Sequence, residues 1–501
     1  MFRSKPICII ALLLSITAQA QLQLAAPFAS HMLLQRNQPI HVWGKGTPQH
    51  WVKVEIGQQT ATNQVAADSG WSLYLPAMPA NTQPLSMYVV SGTDSVVLTD
   101  VLIGDVWVCI GQSNMEWPVK KSLHAAEAMA AAQQTLLRFY NPGYAGKNLY
   151  NIAFSDSVIR RLNTQQFYQG TWQRCDSSSL PDMSAVAYFF GQHLLNNTGV
   201  PQGFIQLSIG GAPLETFIRR EALAAHPQLA AKQQGHWLSN DALPVWVRER
   251  GLQNTGNNTS IAADDLGPNH AYKPGFAYAA GVAAFTSMPI AGVLCYQGES
   301  NAQEPERLAE YAALNELMIN DYRQVWQQPK LPFYFVQLSS IEATNYKSAL
   351  WPAFRNEQRL MLDKIAYSGM AVSSDVGARH DVHPTDKKTI GQRLALWALR
   401  DVYGKKVTVS GPLPITARYK NGRVEIRFAH GKGLQTPNAA ALQGFSLNGE
   451  ASVPAVIKHN RIIIYTQIKP EAVYYGWQPY SNGNLLNAAL LPASTFKIAV
   501  Q

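Results

Sequence analysis

The segment DVWVCIGQSNMEW, residues 105–117, decides the fold of this chain of 501 residues. Its first six residues are mostly apolar, which is typical of a strand buried on both faces of a parallel sheet. Gly111-Gln112-Ser113 follows, and a serine on such a turn lies beside backbone N–H groups that can face a reacting oxyanion. Because glycine and serine are also ordinary turn residues, this segment alone does not separate a nucleophile from a simple turn.

A second polar loop contains the partner that a serine nucleophile needs. Apolar residues 365–372 predict a strand, and the stretch from Asp375 to Pro384 follows it with two histidines and two aspartates. A serine hydroxyl needs an imidazole within hydrogen-bond reach to take its proton, and His383 fits that role. Pro384 predicts the first turn of a helix, with apolar residues at helical spacing through 390–398. His383 equally fits a polar helix cap without chemistry.

The periodicity of the chain predicts an α/β protein flanked by smaller β units. Residues 21–100 alternate short strands with turns, which indicates a β-sandwich-like domain. Residues 101–405 alternate apolar strands with helices, which predicts a parallel sheet sandwiched by helices. Strand patterns return in the C-terminal β domain, residues 406–501, where Asn421-Gly422 predicts a hairpin turn. The candidate serine and histidine both follow strands, where open α/β sheets place their sites.

Four short blocks, in one order, carry a resemblance that spacing alone does not give. The blocks are Gly111–Met115 (GQSNM), Ser208–Gly211 (SIGG), Tyr296–Asn301 (YQGESN) and Asp381–Pro384 (DVHP). They resemble the ordered blocks of the sialate O-acetylesterase family within the SGNH hydrolases, which implies an SGNH-like α/β fold and ester hydrolysis.

The resemblance implies a role for each block. Ser113 matches the nucleophile and His383 matches the general base. The oxyanion-hole donors implied are backbone N–H groups of the Gly210-Gly211 pair and the side chain of Gln297 or Asn301. Gln297 is favoured of the two, because it directly follows an apolar strand. Each pre-aimed donor can lower the barrier by about 3 kcal/mol.

The third member of a catalytic triad stays open. Many SGNH enzymes have an aspartate three positions before the histidine, but that position here is His380. Asp381 lies two positions before His383 and Asp375 eight before, so either reaches the imidazole only if the loop curls. Asp381 is kept as the candidate. The alternative is a Ser-His dyad whose histidine is held by a backbone carbonyl.

The implied substrate is an O-acetylated sugar or glycan, with sialic acid as the sugar that the family likeness indicates. A sialic-acid carboxylate requires a cationic partner, for which Arg219, Arg355 and Arg379 are the candidates. One alternative is an esterase that deacetylates xylan or another plant polysaccharide. A second alternative is a non-catalytic glycan-binding protein.

Composition and charge limit the remaining function classes. The formal net charge is +9. The sequence has no run of lysines or arginines of the kind that binds nucleic acid. Residues 1–20 predict a signal peptide cleaved near Ala20, and hence export to the periplasm or secretion. No later apolar stretch approaches the roughly 20 residues of a membrane span.

The cysteines give no sign of a cofactor site. Cys109, Cys175 and Cys295 remain after leader removal, and an odd number predicts small buried side chains rather than a disulfide framework. No Cys or His spacing suggests a metal. The expected reaction therefore uses no metal and no cofactor.

Overall fold

The computed structural model describes residues 21–501, so the predicted signal peptide lies outside the described residues. The protein is a mixed α/β structure built on one large sheet, which confirms the predicted fold class. The strands up to the nucleophile segment are β1 Gln23–Leu24, β2 Leu33–Gln35, β3 Ile40–Lys45, β4 Trp51–Ile56, β5 Gln59–Gln64, β6 Gly70–Leu75, β7 Asn81–Ser91 and β8 Asp94–Gly111.

The N-terminal strands and the central sheet share β8. Its first half pairs antiparallel with β7, and its second half enters the central sheet. The predicted domain boundary at residue 100 therefore falls inside one continuous strand. The remaining strands up to residue 371 are β9 Gln134–Tyr140, β10 Gly143–Tyr144, β11 Tyr168–Gln169, β12 Trp172–Cys175, β13 Gln202–Gln206, β14 Ala263–Asp264, β15 Gly267–Pro268, β16 Gly292–Tyr296, β17 Phe333–Val336 and β18 Ser368–Ala371.

The central sheet has the strand order β12-β9-β13-β8-β16-β17-β18. All neighbours are parallel except the edge strand β12, which runs antiparallel to β9. Every residue of β13, β16 and β17 is buried, as continuous apolar runs require when both faces of a parallel sheet are covered. The thiols of Cys109, Cys175 and Cys295 are free and buried, which confirms their reading as small core side chains.

Within residues 21–501, ten α-helices connect and cover these strands. Helices α4 and α10 pack against each other. Of this pair, α4 also contacts β9 and β13, and α10 contacts β17 and β18. Helix α8 packs on α9. The helices are α1 Ser113–Glu116, α2 Ala125–Ala130, α3 Asp156–Ile159, α4 Ala185–Thr198, α5 Arg220–Ala225, α6 Val245–Thr255, α7 Phe276–Ala280, α8 Pro305–Val325, α9 Trp351–Lys364 and α10 Lys387–Asp401.

The start of α10 differs from the prediction that Pro384 lies in its first turn. The helix begins at Lys387, and the side chain of Asp386 accepts a hydrogen bond from the Thr389 N–H at 3.0 Å. The true N-cap is therefore an aspartate, which satisfies an N–H group that the first turn leaves unpaired. His383 consequently lies in a loop before the helix rather than at its first turn.

The C-terminal β unit contains two small antiparallel sheets. The hairpin predicted at Asn421-Gly422 is confirmed, because β19 and β20 pair across it. Its strands are β19 Leu413–Tyr419, β20 Arg423–Ala429, β21 Phe445–Ser446, β22 Val456–Lys458, β23 Arg461–Tyr465, β24 Ala472–Tyr475 and β25 Phe496–Ala499. Within residues 21–501, no helix has both the length and the apolar character of a membrane span.

Candidate active site

Ser113 is delivered by the sharp change of direction at the end of β8. Gly111 has a φ of +127°, and the next residue, Gln112, donates its backbone N–H to the Tyr296 carbonyl at 2.9 Å. A Cβ on Gly111 would lie 2.1 Å from that same carbonyl oxygen. Only glycine fits this close approach of two strands, and Ser113 then opens the short helix α1.

The imidazole of His383 meets the hydroxyl of Ser113. The distance from Nε2 to Oγ is 2.8 Å, although the residues are 270 positions apart in the chain. The His383 ring stacks on Trp117 with centroids 4.9 Å apart. Its loop is held by Asn114, whose Nδ2 donates to the Val382 carbonyl at 2.9 Å. A neutral imidazole in this position can accept the serine proton.

Burial favours the neutral form of this histidine. Desolvation lowers the pKa of His383 below its ordinary value of 6.5, the Asp381 carboxylate opposes that shift, and the Lys387 ammonium adds to it. Asp381 Oδ1 lies 3.3 Å from His383 Nδ1 and accepts the His383 backbone N–H at 2.8 Å. Asp375 instead forms an ion pair with Arg393 at 2.7 Å. Of the two aspartates, the structure brings only Asp381 to the imidazole.

The backbone N–H groups of Ser113 and Gly211 have no hydrogen-bond partner within residues 21–501. Gly211 lines a cleft together with Ser113. The Gly210 N–H, in contrast, donates to Glu116 Oε2 at 2.9 Å and to the Tyr144 hydroxyl at 3.0 Å. The predicted glycine pair therefore divides: Gly211 offers a free donor, and Gly210 is committed to the surrounding structure.

The predicted side-chain donors lie behind the serine turn. Gln297 Nε2 donates to Asn301 Oδ1 at 2.7 Å and to Gln112 Oε1 at 3.1 Å. Asn301 Nδ2 donates to Glu215 Oε2 at 3.0 Å. Both side chains are fully buried and neither has a hydrogen bond to Ser113. In this arrangement they brace the turn, and their role as oxyanion donors stays a prediction.

Comparison with known proteins agrees with this geometry. Residues 270–400 match the family model described as carbohydrate esterase, sialic acid-specific acetylesterase. The sialate O-acetylesterase of Mus musculus is 27% identical over 425 residues, which cover 77% of this chain and 74% of the mouse protein. That of Homo sapiens is 28% identical over 404 residues, with 74% and 69% covered. The predicted resemblance to sialate O-acetylesterases is confirmed.

A solved structure extends this similarity to the fold. The crystal structure of a carbohydrate acetylesterase from Xanthomonas citri is 28% identical, with a TM-score of 0.77. The alignment covers 95% of this chain and 99% of that chain. Together with the sialate O-acetylesterase relatives, this match supports a carboxylic-ester hydrolase with an acetylated sugar as its substrate.

The arginines predicted to bind a sialate carboxylate have other partners. Arg219 donates from Nε to both carboxylate oxygens of Asp321, at 2.8 and 3.0 Å. Arg355 is fully buried and donates only to backbone carbonyls of the C-terminal unit. Arg379 pairs with Glu342 and stacks on a tyrosine ring. None of the three lines a cleft that contains Ser113.

Two clefts instead adjoin the Ser113–His383 pair. One, of about 510 Å³, is lined by three lysines among its polar residues. The other, of about 360 Å³, is lined by Arg250, Trp246 and Tyr150 beside Ser113 and His383. Sequence reasoning missed these three residues as substrate-binding candidates. The available signal was a polar insertion, residues 223–265, between the second and third blocks of the sialate O-acetylesterase resemblance. Helix α6 lies in that insertion and contributes Trp246 and Arg250.

A buried polar network also escaped the sequence analysis. Asn114 Nδ2 donates to Glu299 Oε1 at 2.5 Å, and Lys387 Nζ donates to Asn114 Oδ1 at 2.5 Å. Burial raises the pKa of Glu299 to about 7 and lowers the pKa of Lys387 to about 7. Asn114 and Glu299 lie in two of the four sequence blocks, but the sequence does not show that their side chains meet. The network fixes the Asn114 amide that holds the catalytic loop.

Proposed function

We propose that the protein is a carbohydrate O-acetylesterase that removes O-acetyl groups from sialic acids through a Ser-His mechanism. The observation that carries the proposal is the 2.8 Å contact between Ser113 Oγ and His383 Nε2 at the meeting of two clefts. A pair of this kind, with free N–H groups at Ser113 and Gly211, is arranged for acyl transfer.

The reaction proceeds in two balanced steps. His383 Nε2 takes the Ser113 proton while Oγ bonds to the acetyl carbonyl carbon, and the free N–H groups of Ser113 and Gly211 donate to the resulting oxyanion. When the tetrahedral intermediate collapses, the sugar oxygen leaves with the proton held by His383. Water then attacks the acetyl-enzyme while His383 takes its proton, and as the bond between the acetyl carbon and Oγ breaks, His383 returns that proton to Ser113 and acetate is released. No cofactor enters either step.

The orienting group for His383 belongs to the same proposal. Asp381 Oδ1 faces Nδ1 at 3.3 Å, which is long for a hydrogen bond, and 61% of its side chain is exposed. A carboxylate this exposed is screened by water, so it orients the ring less strongly than a buried triad aspartate would. The stacking on Trp117 supplies a second restraint on the ring plane.

Export is the proposed location, supported by the leader-like pattern of residues 1–20. An O-acetylated glycan outside the cytoplasm would then be accessible to the enzyme. Cleavage is tested by N-terminal sequencing of the exported protein, with Gln21 expected as the first residue. An uncleaved N-terminus would contradict it.

The function is tested by acetate release from O-acetylated sialic acid, acetylated xylan and p-nitrophenyl acetate. The wild type is expected to hydrolyse the sialic acid substrate faster than xylan. Ser113→Ala is expected to lose at least about a thousandfold in kcat on every substrate, because no other hydroxyl replaces the nucleophile. Ser95→Ala, at the exposed far end of β8, is the matched control and should retain full activity.

Each contrary result has a defined meaning. A wild type that releases no acetate from any of the three substrates contradicts the esterase proposal. Faster release from xylan than from sialic acid contradicts the sialate assignment alone. Activity retained by Ser113→Ala would contradict the proposed nucleophile.

A further inference from the structure

Arg250 is a cation in the catalytic cleft without a counter-ion. It lines the 360 Å³ cleft with Ser113 and His383, and no ion pair joins it to a carboxylate within residues 21–501. Arg248, two residues earlier on α6, differs in that it pairs with Asp241 at 2.9 Å. The guanidinium of Arg250 is therefore available for a ligand.

The buried nitrogens of Arg250 strengthen this reading. Nε and Nη1 are inaccessible to solvent and have no hydrogen-bond partner. Native proteins rarely leave a buried donor unpaired, and an exception calls for an explanation such as a missing ligand. A guanidinium presents parallel N–H groups in a planar fork that matches a carboxylate or a phosphate, and the sialic acid of the proposed function has a carboxylate.

Two aromatic rings hold the guanidinium in place. Its central carbon lies 5.4 Å from the Tyr150 ring centroid and 5.9 Å from that of Trp246. Both aromatic residues line the same cleft, and the Trp246 Nε1–H is also buried without a partner. Trp246 and Arg250 are four residues apart on α6 and so share one face of the helix. Arg250 and Trp246 therefore both line the cleft, and each has buried donors without a hydrogen-bond partner.

The acidic residue of this cleft does not neutralise Arg250. Glu299 lines the cleft, but its Oε1 accepts from Asn114 at 2.5 Å and its Oε2 has no partner. Burial raises the pKa of Glu299 to about 7, so near neutral pH a large fraction of this carboxyl is uncharged. The carboxylate-binding role in this cleft therefore falls to Arg250.

We propose that Arg250, oriented by Tyr150 and Trp246, binds a carboxylate of the substrate and selects O-acetylated sugar acids over neutral acetylated sugars. This inference rests on the proposed esterase function. It assigns ester cleavage and substrate selectivity to different elements. Ser113 and His383 cleave the ester, and Arg250 on α6 binds the charged group of the sugar.

The test compares O-acetylated sialic acid with its carboxyl methyl ester, which has the same acetyl group but no negative charge. The wild type is expected to favour the free acid in kcat/KM. Arg250→Gln should lower kcat/KM for the free acid at least about thirtyfold, mainly through KM, because a desolvated charge pair is lost. The ratio of free acid to methyl ester should fall toward one, and Arg250→Lys should restore part of it.

Arg248→Gln is the matched control, since it removes an arginine from the same helix without touching the cleft. It should leave the acid-to-ester ratio unchanged. A second measurement covers the case in which Arg250→Gln is inactive: calorimetric binding of unacetylated sialic acid to Ser113→Ala, and to the same variant with Arg250→Gln. Binding should be lost only in the double variant.

The outcomes separate this inference from the proposed function. If the wild type releases acetate from the free acid and the methyl ester equally well, or Arg250→Gln lowers both equally, the carboxylate role is overturned while the esterase stands. If Ser113→Ala binds sialic acid equally with and without Arg250, the role is likewise overturned. If the wild type hydrolyses no acetate ester at all, the proposed function itself fails.

Discussion

At the scale of single residues, the central feature is a histidine that burial keeps neutral. A general base must be unprotonated to accept the Ser113 proton, and desolvation lowers the pKa of His383 below 6.5. We therefore predict that kcat/KM falls on the acid side with a midpoint below pH 6.5. A pH profile with p-nitrophenyl acetate measures this, and an acid midpoint above 6.5 would contradict it.

Asp381→Asn tests the opposite contribution to the pKa of His383, that of the Asp381 carboxylate. The carboxylate raises the pKa of His383 against the dominant effect of burial, so its removal should move the acid midpoint to still lower pH. The size of the loss in kcat discriminates between the mechanisms. A complete triad predicts a loss of at least about a hundredfold, whereas less than about tenfold indicates a dyad. An upward shift of the midpoint would be incompatible with the geometry described.

The residue roles could be predicted from the sequence only where backbone position decides them. Ser113 and His383 each follow a strand of one parallel sheet, so their meeting at one sheet edge follows from topology. The partners of Arg219 and Arg355 depend on side-chain packing across distant segments, which no local pattern reports. The same holds for Gln297, whose amide turns toward Asn301 and Gln112. Arg250 escaped prediction because its helix lies in an insertion.

At the scale of elements, strand type and strand position were the most predictable features. The apolar run of residues 292–296 predicts a strand and forms β16, Gly292–Tyr296. The helical pattern of residues 305–326 forms α8, Pro305–Val325. Continuous apolar runs and strong helical periodicity decide such elements locally. The predicted start of α10 was wrong because Pro384 and Asp386 are both typical of a helix N-terminus. The hydrogen bond from the Thr389 N–H to Asp386 makes Asp386 the N-cap, so the helix begins after it.

The junction of β8 and α1 depends on the one glycine that permits it. Gly111→Ala should lower the free energy of unfolding by more than about 2 kcal/mol, because a positive φ is combined with a collision against the Tyr296 carbonyl. Displacement of the turn should also reduce kcat. Gly199→Ala is the control: its φ is also positive, at 69°, but its Cβ would meet nothing within 4 Å.

The control should lose only about 1 kcal/mol, the strain of the left-handed backbone alone. Urea denaturation and kcat for both variants measure the difference. Equal destabilisation by the two substitutions would contradict the close approach of β8 and β16 as the reason for the glycine.

At the scale of the whole molecule, the C-terminal β unit is joined to the catalytic unit by buried hydrogen bonds. Arg355 on α9 donates to the carbonyls of Pro479 at 3.1 Å, Gly476 at 3.0 Å and Gln478 at 2.5 Å. The side chain of Asn356 accepts the Lys497 backbone N–H at 3.0 Å. Because α9 also packs on β18, which leads into the catalytic loop, the β unit supports the helix layer behind the site.

Arg355→Leu should therefore destabilise the protein and loosen the β unit first. Removal of the donor leaves buried carbonyls unpaired, which predicts a loss of about 2 kcal/mol or more in the free energy of unfolding. Hydrogen exchange should rise in residues 476–481 before it rises in the central sheet. Lys364→Leu, at the exposed end of the same helix, is the control and should leave exchange in residues 476–481 unchanged. Faster exchange confined to the central sheet in Arg355→Leu would show that Arg355 supports the sheet rather than the junction.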